Sequence, residues 1–317
     1  KMILSENEAK NLLTKILGYS KADSVEATLS GSNSYNLRFE RNSLTTNEFT
    51  DGLTLSVSSN IGKKTGSVST NKFDEESLKE AVKNSERIAA LSPDNKEFMP
   101  PLGLQSYSAA GNYSADTENL SSENRSSLVS YVLNSSVNND VICAGFEEDE
   151  VSFIAVISSN GLFAYNKSTI AKFSTTVRTK DGTGSSRIEK IYSDINDLEY
   201  KTLSDKAVER SKLSVNPEEI KPGRYTVILE PSAAADIIAL CLNFMGSRGA
   251  DEGRSFFSKP GGGNLIGETI AGSNVNIYSD PADIYAPSVP FTGGGEPRGR
   301  IDWIENGVLK NLHRGRF

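Results

Sequence analysis

The residues that most often carry chemistry are scarce in this sequence. Of 317 residues only one is histidine, His313, and two are cysteines, Cys143 and Cys241. A catalytic zinc site takes about three protein ligands, drawn mostly from histidine, cysteine and carboxylate. No His-Glu pair occurs anywhere in the chain. The sequence therefore predicts that these residues do not build a zinc site, and we identify no catalytic residue.

Nucleophilic and phosphate-binding motifs are equally poorly represented. His313 is the single candidate for a histidine general base, and no Gly-x-Ser-x-Gly elbow surrounds a serine. The glycine-rich segment Asp181-Gly182-Thr183-Gly184 is not followed by the Gly-Lys-Ser/Thr ending of a phosphate loop. We therefore interpret this segment as a tight turn.

One run of carboxylates, Glu147-Glu148-Asp149-Glu150, is acidic enough to attract a cation. Hard cations such as Mg²⁺ prefer oxygen ligands, but the spacing of an EF-hand loop is absent. A run of like charges is usually solvated. We interpret the run as a solvated turn. A cation site made of carboxylates alone remains possible by count, because the sequence contains 41 Asp and Glu residues.

Composition and charge narrow the class of protein. The net charge of −7 and the absence of any Lys/Arg cluster longer than a pair argue against a nucleic-acid partner. Both cysteines lie in apolar surroundings, which is typical of small buried hydrophobes, and two cysteines cannot form a disulfide framework. The longest apolar stretch, 237–245, is about half a membrane span, and the start does not look like a signal peptide. We expect a cytoplasmic protein with no membrane partner.

The elements that would position any site predict a mixed α+β fold in three domains. In the first, 1–95, Ser5 to Glu8 forms a capping box before a helix, and Asp74 caps a second one. Between them lie short strands predicted at 25–29, 35–39, 53–57 and 65–70, several of which alternate apolar and polar residues. Asp51-Gly52 is predicted to be a turn between two of these strands. A linker or loop, 96–120, leads to a middle α/β domain, 121–220. Its helices surround short strands predicted at 141–146, 151–157, 162–166 and 171–179.

The third domain, 221–317, is predicted to be β-rich, with a hairpin turn at Asn306-Gly307. It begins with an apolar strand at 225–229, followed by a helix from Ser232 to about Ser247 whose apolar face is typical of a buried scaffold. The chain reaches Phe317 directly after a strand-like segment, so the domain is expected to be incomplete. The residues forming the apolar face are Ile237, Leu240, Cys241, Phe244 and Met245.

The order and spacing of several segments resemble the TldD/PmbA family, also called the modulator of DNA gyrase family. No single segment is specific, but together they run through most of the chain. They are the stretches 41–44, 51–57, 66–70, 159–162, 180–185, 222–231, 251–257, 278–281 and 304–309.

The resemblance implies a barrel-like third domain and a subunit without the metal. TldD-type chains of the family carry His-Glu-x-x-x-His on a helix, with zinc held by the two histidines and the glutamate acting as general base. TldE (PmbA-type) chains lack the motif and complete a hollow dimer around a peptide. The positions here that match the motif are Ile238, Ala239 and Asn243, so the resemblance implies a TldE-like chain, with zinc only in a TldD-like partner.

The same resemblance implies where substrate or partner would lie. Two segments, within 251–257 and 292–295, resemble the parts of the family that surround its zinc motif. They are candidates for the substrate channel or the subunit interface, although ordinary turns explain them equally well. Extended substrates could be held by strand addition, which needs little sequence preference. The candidate residues are Asp251, Glu252, Gly253, Arg254, Ser255, Thr292, Gly293, Gly294 and Gly295.

Two rival functions remain open at this level. One is a non-enzymatic, homodimeric protein that binds peptides or regulates another protein. The other, weaker, is an enzyme whose site lies in residues beyond Phe317. The leading hypothesis is a non-metal subunit of a metallopeptidase that degrades or matures peptides and unfolded segments.

Overall fold

The computed structural model describes residues 2–316, so Lys1 and Phe317, the outermost positions of the predicted domains, lie outside it. The chain divides into two compact units. The first comprises residues 2–218 and 281–298, and the second comprises 219–280 and 299–316. No helix within residues 2–316 is long and apolar enough to cross a membrane.

The first unit is built on one antiparallel sheet of six strands, in the order β3-β2-β1-β4-β5-β6. Four of its strands are 17 to 19 residues long, about three times the usual length of a strand. The strands are β1 Ser24–Glu40, β2 Ser43–Ile61, β3 Lys64–Thr70, β4 Val141–Ser158, β5 Phe163–Thr179 and β6 Ser185–Tyr192.

Helices lie along one face of this sheet. The capping box is confirmed at the first of them, since Glu8 accepts from the Ser5 N–H at 2.8 Å and Ser5 Oγ accepts from the Glu8 N–H at 3.4 Å. The predicted Asp74 cap is confirmed as well. The helices are α1 Glu6–Tyr19, α2 Glu75–Leu91, α3 Ala115–Glu118, α4 Ser122–Asn138 and α5 Tyr200–Leu213, with a 3₁₀ turn at Ile195–Asp197.

Two apolar clusters fill the space between the helices and the sheet. In the first, Leu13 of α1 and Val82 of α2 pack with Phe153 of β4. In the second, Val132 of α4 and Val208 of α5 pack with strand residues of β1, β4 and β5. Because successive residues of a strand point to opposite faces, only alternate residues join these clusters.

The predicted strands were too short. The segments predicted at 25–29 and 35–39 are parts of the single strand β1, and β4 and β5 each join two predicted strands. The turn predicted at Asp51-Gly52 is wrong, because both residues lie within β2 and pair with Asn33 and Ser32. Pairing with β1 keeps these two residues inside the strand, although Asp and Gly by themselves favour turns.

Strands from the first and the middle predicted domains share this sheet, with β1 pairing β4 along nearly its whole length. The predicted domain limits at 95 and 121 therefore remain a prediction. The mixed helix–strand class with antiparallel sheets is confirmed. Residues 2–316 form no closed barrel.

The second unit combines two helices with one small sheet. The helices are α6 Pro231–Leu242 and α7 Ser247–Asp251, and the strands are β7 Ile277–Ser279, β8 Ile301–Glu305 and β9 Val308–Leu309. Asn306 and Gly307 adopt φ of 49° and 78° in the tight turn between β8 and β9, as expected of a hairpin. Its core is formed by Met245, Ala250, Phe257, Ile304, Leu309 and Leu312.

Two expectations for this unit are wrong. Residues 225–229 pair with no strand among the described residues. Helix α6 ends at Leu242, short of the predicted end, and has no buried residue. Leu240 is 63% exposed, and of the predicted face only Met245, beyond the end of the helix, is buried. Cys241 on this helix is therefore exposed, contrary to the prediction, whereas Cys143 in β4 of the first unit is buried as predicted. Helical periodicity predicts an apolar face, but burial also requires a partner surface, and the described residues of the second unit do not provide one over this helix.

Candidate functional site

The three positions predicted to correspond to the zinc motif lie on and just after α6. Ile238 is 37% exposed, Ala239 is exposed, and Asn243 follows the last helical residue, its N–H donating to the Ala239 carbonyl at 3.3 Å. Two hydrocarbon side chains and one amide do not fit zinc, which is bound by imidazole, thiolate or carboxylate. Residues 2–316 contain no cluster of three His, Cys, Asp or Glu side chains suited to a metal. That this chain binds no metal stays a prediction.

The first candidate segment, 251–255, follows directly on α7. Gly253 adopts φ of 76°, a conformation that glycine reaches without strain. This lets the chain reverse, so that the Arg254 N–H donates to the Gly249 carbonyl at 2.8 Å. Glu252 forms ion pairs with Arg254 and Arg248, and their hydrogen bonds lower the pKa of its carboxyl group. The segment therefore presents a charged, exposed surface.

The same segment is tied to its own unit at both ends. Ser255 Oγ donates to the Phe244 carbonyl at 2.5 Å and accepts from the N–H of the buried Phe257 at 3.2 Å. Asn264 Nδ2 donates to Asp251 at 2.6 Å. These contacts explain the local fold, and a role in substrate or partner binding remains a prediction.

The second candidate segment, Thr292 to Gly295, lies in the first unit. It is a closed turn in which the Thr292 N–H donates to the Glu296 carbonyl and the Gly295 N–H donates to the Thr292 carbonyl, both at 2.9 Å. The preceding Phe291 is buried with Val156, Leu162 and Ala164. The conformation of each candidate segment is thus explained by contacts within its own unit.

Replacing Gly295 by alanine is expected to destabilise the first unit by about 1–3 kcal/mol. Gly295 adopts φ of 78°, and a Cβ atom there would lie 2.7 Å from Leu162 Cδ1. It would also disturb the hydrogen bond from Tyr107 Oη to the Gly295 carbonyl, 2.7 Å long. Chemical denaturation followed by far-ultraviolet circular dichroism measures the effect. Gly293→Ala is the matched control, since its Cβ would meet no atom within 4 Å, and equal losses in both variants would contradict the packing argument.

The structure contains a buried charged cluster that the sequence interpretation missed. The acidic run is not a solvated turn, because it lies inside β4. Glu147 and Asp149 point to the helical face and are 0% and 3% exposed, whereas Glu148 and Glu150 lie on the opposite face, half-buried. The sequence offers no alternation that locates these two carboxylates, because residues 153–157 are a continuous apolar run. The alternation through positions 147, 149, 151 and 153 is one of burial and is visible only in the folded strand.

Arg125 of α4 compensates one of the two buried carboxylates. Its Nη2 donates to Asp149 Oδ2 at 2.8 Å, and its Nε donates to Oδ1. The guanidinium carbon lies 3.7 Å from the centroid of the Tyr35 ring, in a cation–π contact. Tyr35 in turn packs against Phe49, with 4.6 Å between the ring centroids. The cluster therefore ties α4 to strands β1, β2 and β4.

Glu147 is left without such compensation. Neither carboxyl oxygen makes a hydrogen bond with the described residues. Burial, and then the neighbouring Asp149 charge, raise the pKa of Glu147 to about 9, while Arg125 opposes this rise. The group is therefore neutral at pH 7. Because it is completely buried, a substrate cannot reach it, so we interpret it as a structural group rather than a catalytic acid.

Models of one known family match almost the whole chain. The PmbA/TldA metallopeptidase domain 1 matches residues 25–89, its central domain matches 71–215, and its C-terminal domain matches 222–316. No curated protein matches the sequence.

Solved structures show the same fold. A modulator of a DNA gyrase from Thermotoga maritima superimposes with a TM-score of 0.84 at 16% identity, covering 97% of this chain and 71% of the other. TldE from Thermococcus kodakarensis gives 0.80 at 16% identity, with 97% and 70% covered. A modulator of DNA gyrase from Bacteroides thetaiotaomicron gives 0.83 at 18% identity, with 98% and 72% covered.

Proposed function

The chain belongs to the PmbA/TldD metallopeptidase family, and from this premise we propose that it is the TldE-like subunit of a two-chain peptidase. In this proposal the chain forms part of the chamber that holds a peptide or unfolded segment. The zinc-dependent cleavage belongs to a TldD-like partner. Cytoplasmic localisation is part of the same proposal.

One observation carries the proposal. All three domains of the family follow one another in this chain, yet the positions matching the zinc motif are Ile238, Ala239 and Asn243. A chain that keeps the framework and lacks the ligands is suited to completing a site, not to performing the metal chemistry itself. The likeness in fold to a TldE supports the assignment to this type of subunit.

We propose a binding role for each of the two candidate segments, either in the substrate channel or at the subunit interface. The segment 251–255 would contribute exposed charge through Glu252 and Arg254, and the turn Thr292 to Gly295 would contribute glycines that permit close approach of another backbone. Neither segment takes part in bond cleavage. Their role is to position an extended chain or to contact the partner subunit.

The proposal is tested by measuring peptide cleavage by this chain alone, by a chain carrying His-Glu-x-x-x-His alone, and by the mixture. We expect cleavage well above either single chain only in the mixture, abolished by a chelator and restored by zinc, because the metal and the complete chamber come from different chains. A partner whose motif glutamate is replaced by glutamine is the control. It should still form the complex and should not cleave.

Two outcomes would contradict the proposal. Cleavage by this chain alone, insensitive to chelators, would indicate a different catalytic site. An inactive mixture in which size exclusion detects no complex, with this chain eluting as a homodimer, would favour the non-enzymatic peptide binder or regulator.

A further inference from the structure

The outer edge of β2 is only partly covered. Strand β1 pairs with β2 from Ser43 to Asn60, but β3 pairs only with Leu55–Ile61 on the other side. No strand among the described residues pairs with the outer edge of Ser43 to Thr54, a length of about 40 Å. Every second residue of this segment therefore turns its N–H and carbonyl groups outward, without a strand partner.

This edge is also accessible from both faces of the sheet. Every residue from Ser43 to Thr54 is exposed except Leu53, which is half-buried. Proteins commonly protect such edges with lysine, proline, a bulge or a covering element. The segment contains no lysine and no proline. Its one bulge is the extra residue Thr45, between the pairs Arg38–Thr46 and Phe39–Leu44, and the edge from Thr46 to Thr54 is regular. The edge is therefore an open template for another strand.

Its charge indicates the kind of strand that would fit. The segment carries two carboxylates, Glu48 and Asp51, and no basic residue. Arg41 in the preceding turn lies 3.9 Å from the Glu40 carboxylate. Two copies of this edge would bring four carboxylates together with no cation on either strand. A strand with basic residues would instead place opposite charges across the pair, which stabilises it.

The edge is held rigidly enough to act as a template. Phe49, half exposed in β2, packs on Tyr35 of β1. Tyr35 packs on Arg125, which is locked to the buried Asp149. An added strand would therefore meet a preformed backbone and a half-exposed aromatic ring, which lowers the entropy lost on binding.

We propose that the free edge of β2, Ser43 to Thr54, binds an extended basic peptide segment by strand addition. Backbone hydrogen bonds supply affinity for many sequences, and Glu48 and Asp51 favour lysine or arginine. The inference deepens the proposed function and rests on it only for the identification of the bound segment as substrate. The occupant we commit to is the peptide, not a second copy of this chain.

The test is binding of a fluorescent peptide of about twelve residues with alternating lysine and threonine, matched in length to the edge. Fluorescence anisotropy measures affinity, and amide hydrogen exchange locates the site. We expect saturable binding, with slower exchange confined to residues 43–54 and the peptide. The same peptide with N-methyl groups on alternate residues of one edge should bind at least about tenfold more weakly, since it lacks the donors that a strand needs.

Glu48→Lys with Asp51→Lys reverses the charge of the edge and should weaken binding of the basic peptide by about tenfold or more. The same pair should improve binding of a peptide in which glutamate replaces lysine. The control pair is Glu80→Lys with Glu209→Lys on α2 and α5, both exposed, which changes the net charge equally. Circular dichroism verifies that all variants fold.

Three outcomes would overturn the inference: equal binding by both variant pairs, unchanged binding by the N-methylated peptide, or exchange protection elsewhere. Slow exchange at residues 43–54 without peptide, together with a dimer in sedimentation, would identify a second copy as the occupant. All measurements use this chain alone, so their failure is distinct from a failure of the cleavage assay. A mixture that does not cleave leaves the binding result intact.

Discussion

Replacing Arg125 by methionine is expected to lower the free energy of unfolding of the first unit by about 3–5 kcal/mol, the usual cost of removing one partner of a buried ion pair. The side chains of Arg125 and Asp149 are 7% and 5% exposed. Without the guanidinium, Asp149 would be a buried carboxylate next to Glu147, with no cation to compensate it. The contact with the Tyr35 ring would be lost as well.

Far-ultraviolet circular dichroism during urea denaturation measures this loss, because most helix and strand residues lie in the first unit. Fluorescence of the single tryptophan, Trp303, follows the second unit instead. Arg187→Met is the control, since that pair with Glu189 is exposed on the arginine side and is worth about 0–1 kcal/mol. Arg125→Met with Asp149→Leu should recover much of the stability. A loss in the single variant no larger than in the control would show that Asp149 is not effectively buried.

The stability of the first unit is expected to fall between about pH 4.5 and pH 9 because of Glu147. The pKa of this carboxyl group is raised from 4.5 to about 9 by burial and by Asp149. In this window the folded state keeps a proton that the unfolded state has released. The contribution is therefore fully present below pH 4.5, declines as pH rises, and is lost above pH 9. The full contribution of Glu147 to the free energy of unfolding is on the order of several kcal/mol.

Urea denaturation at a series of pH values tests this prediction. Glu147→Gln resembles the protonated acid and cannot ionise, so its stability should vary less across the window and should exceed that of the wild type near pH 9. The control is Glu148→Gln, whose side chain lies on the opposite face of β4. It should retain the slope of the wild type. Parallel stability curves for Glu147→Gln and wild type would contradict a buried neutral Glu147.

Features with a local cause were predictable from the sequence. The Ser5–Glu8 capping box, the Asp74 cap and the Asn306-Gly307 turn each depend on a few neighbouring residues, and all three are present. The family was equally accessible, because the order of many short segments persists where identity to solved structures is only 16–18%.

Features that depend on distant partners were not predictable in the same way. Polar residues such as Asp51 and Gly52 favour turns by themselves, yet pairing with β1 keeps them inside a long strand. An acidic run is usually solvated, yet Arg125, 24 residues before Asp149, allows that carboxylate to be buried. The same reasoning applies to the open edge of β2, which exists only because β3 ends where it does.

The sequence by itself determined the starts of α1 and α2, the Asn306-Gly307 turn, the family and the absence of histidine at 238–243. The tertiary structure alone decided which carboxylates are buried, how far each strand extends, and that the apolar residues of α6 and Cys241 are exposed. The reason is physical. A cap or a turn is stabilised by hydrogen bonds within a few residues, whereas burial and strand pairing depend on surfaces that are far away in the chain and come together only in the folded protein.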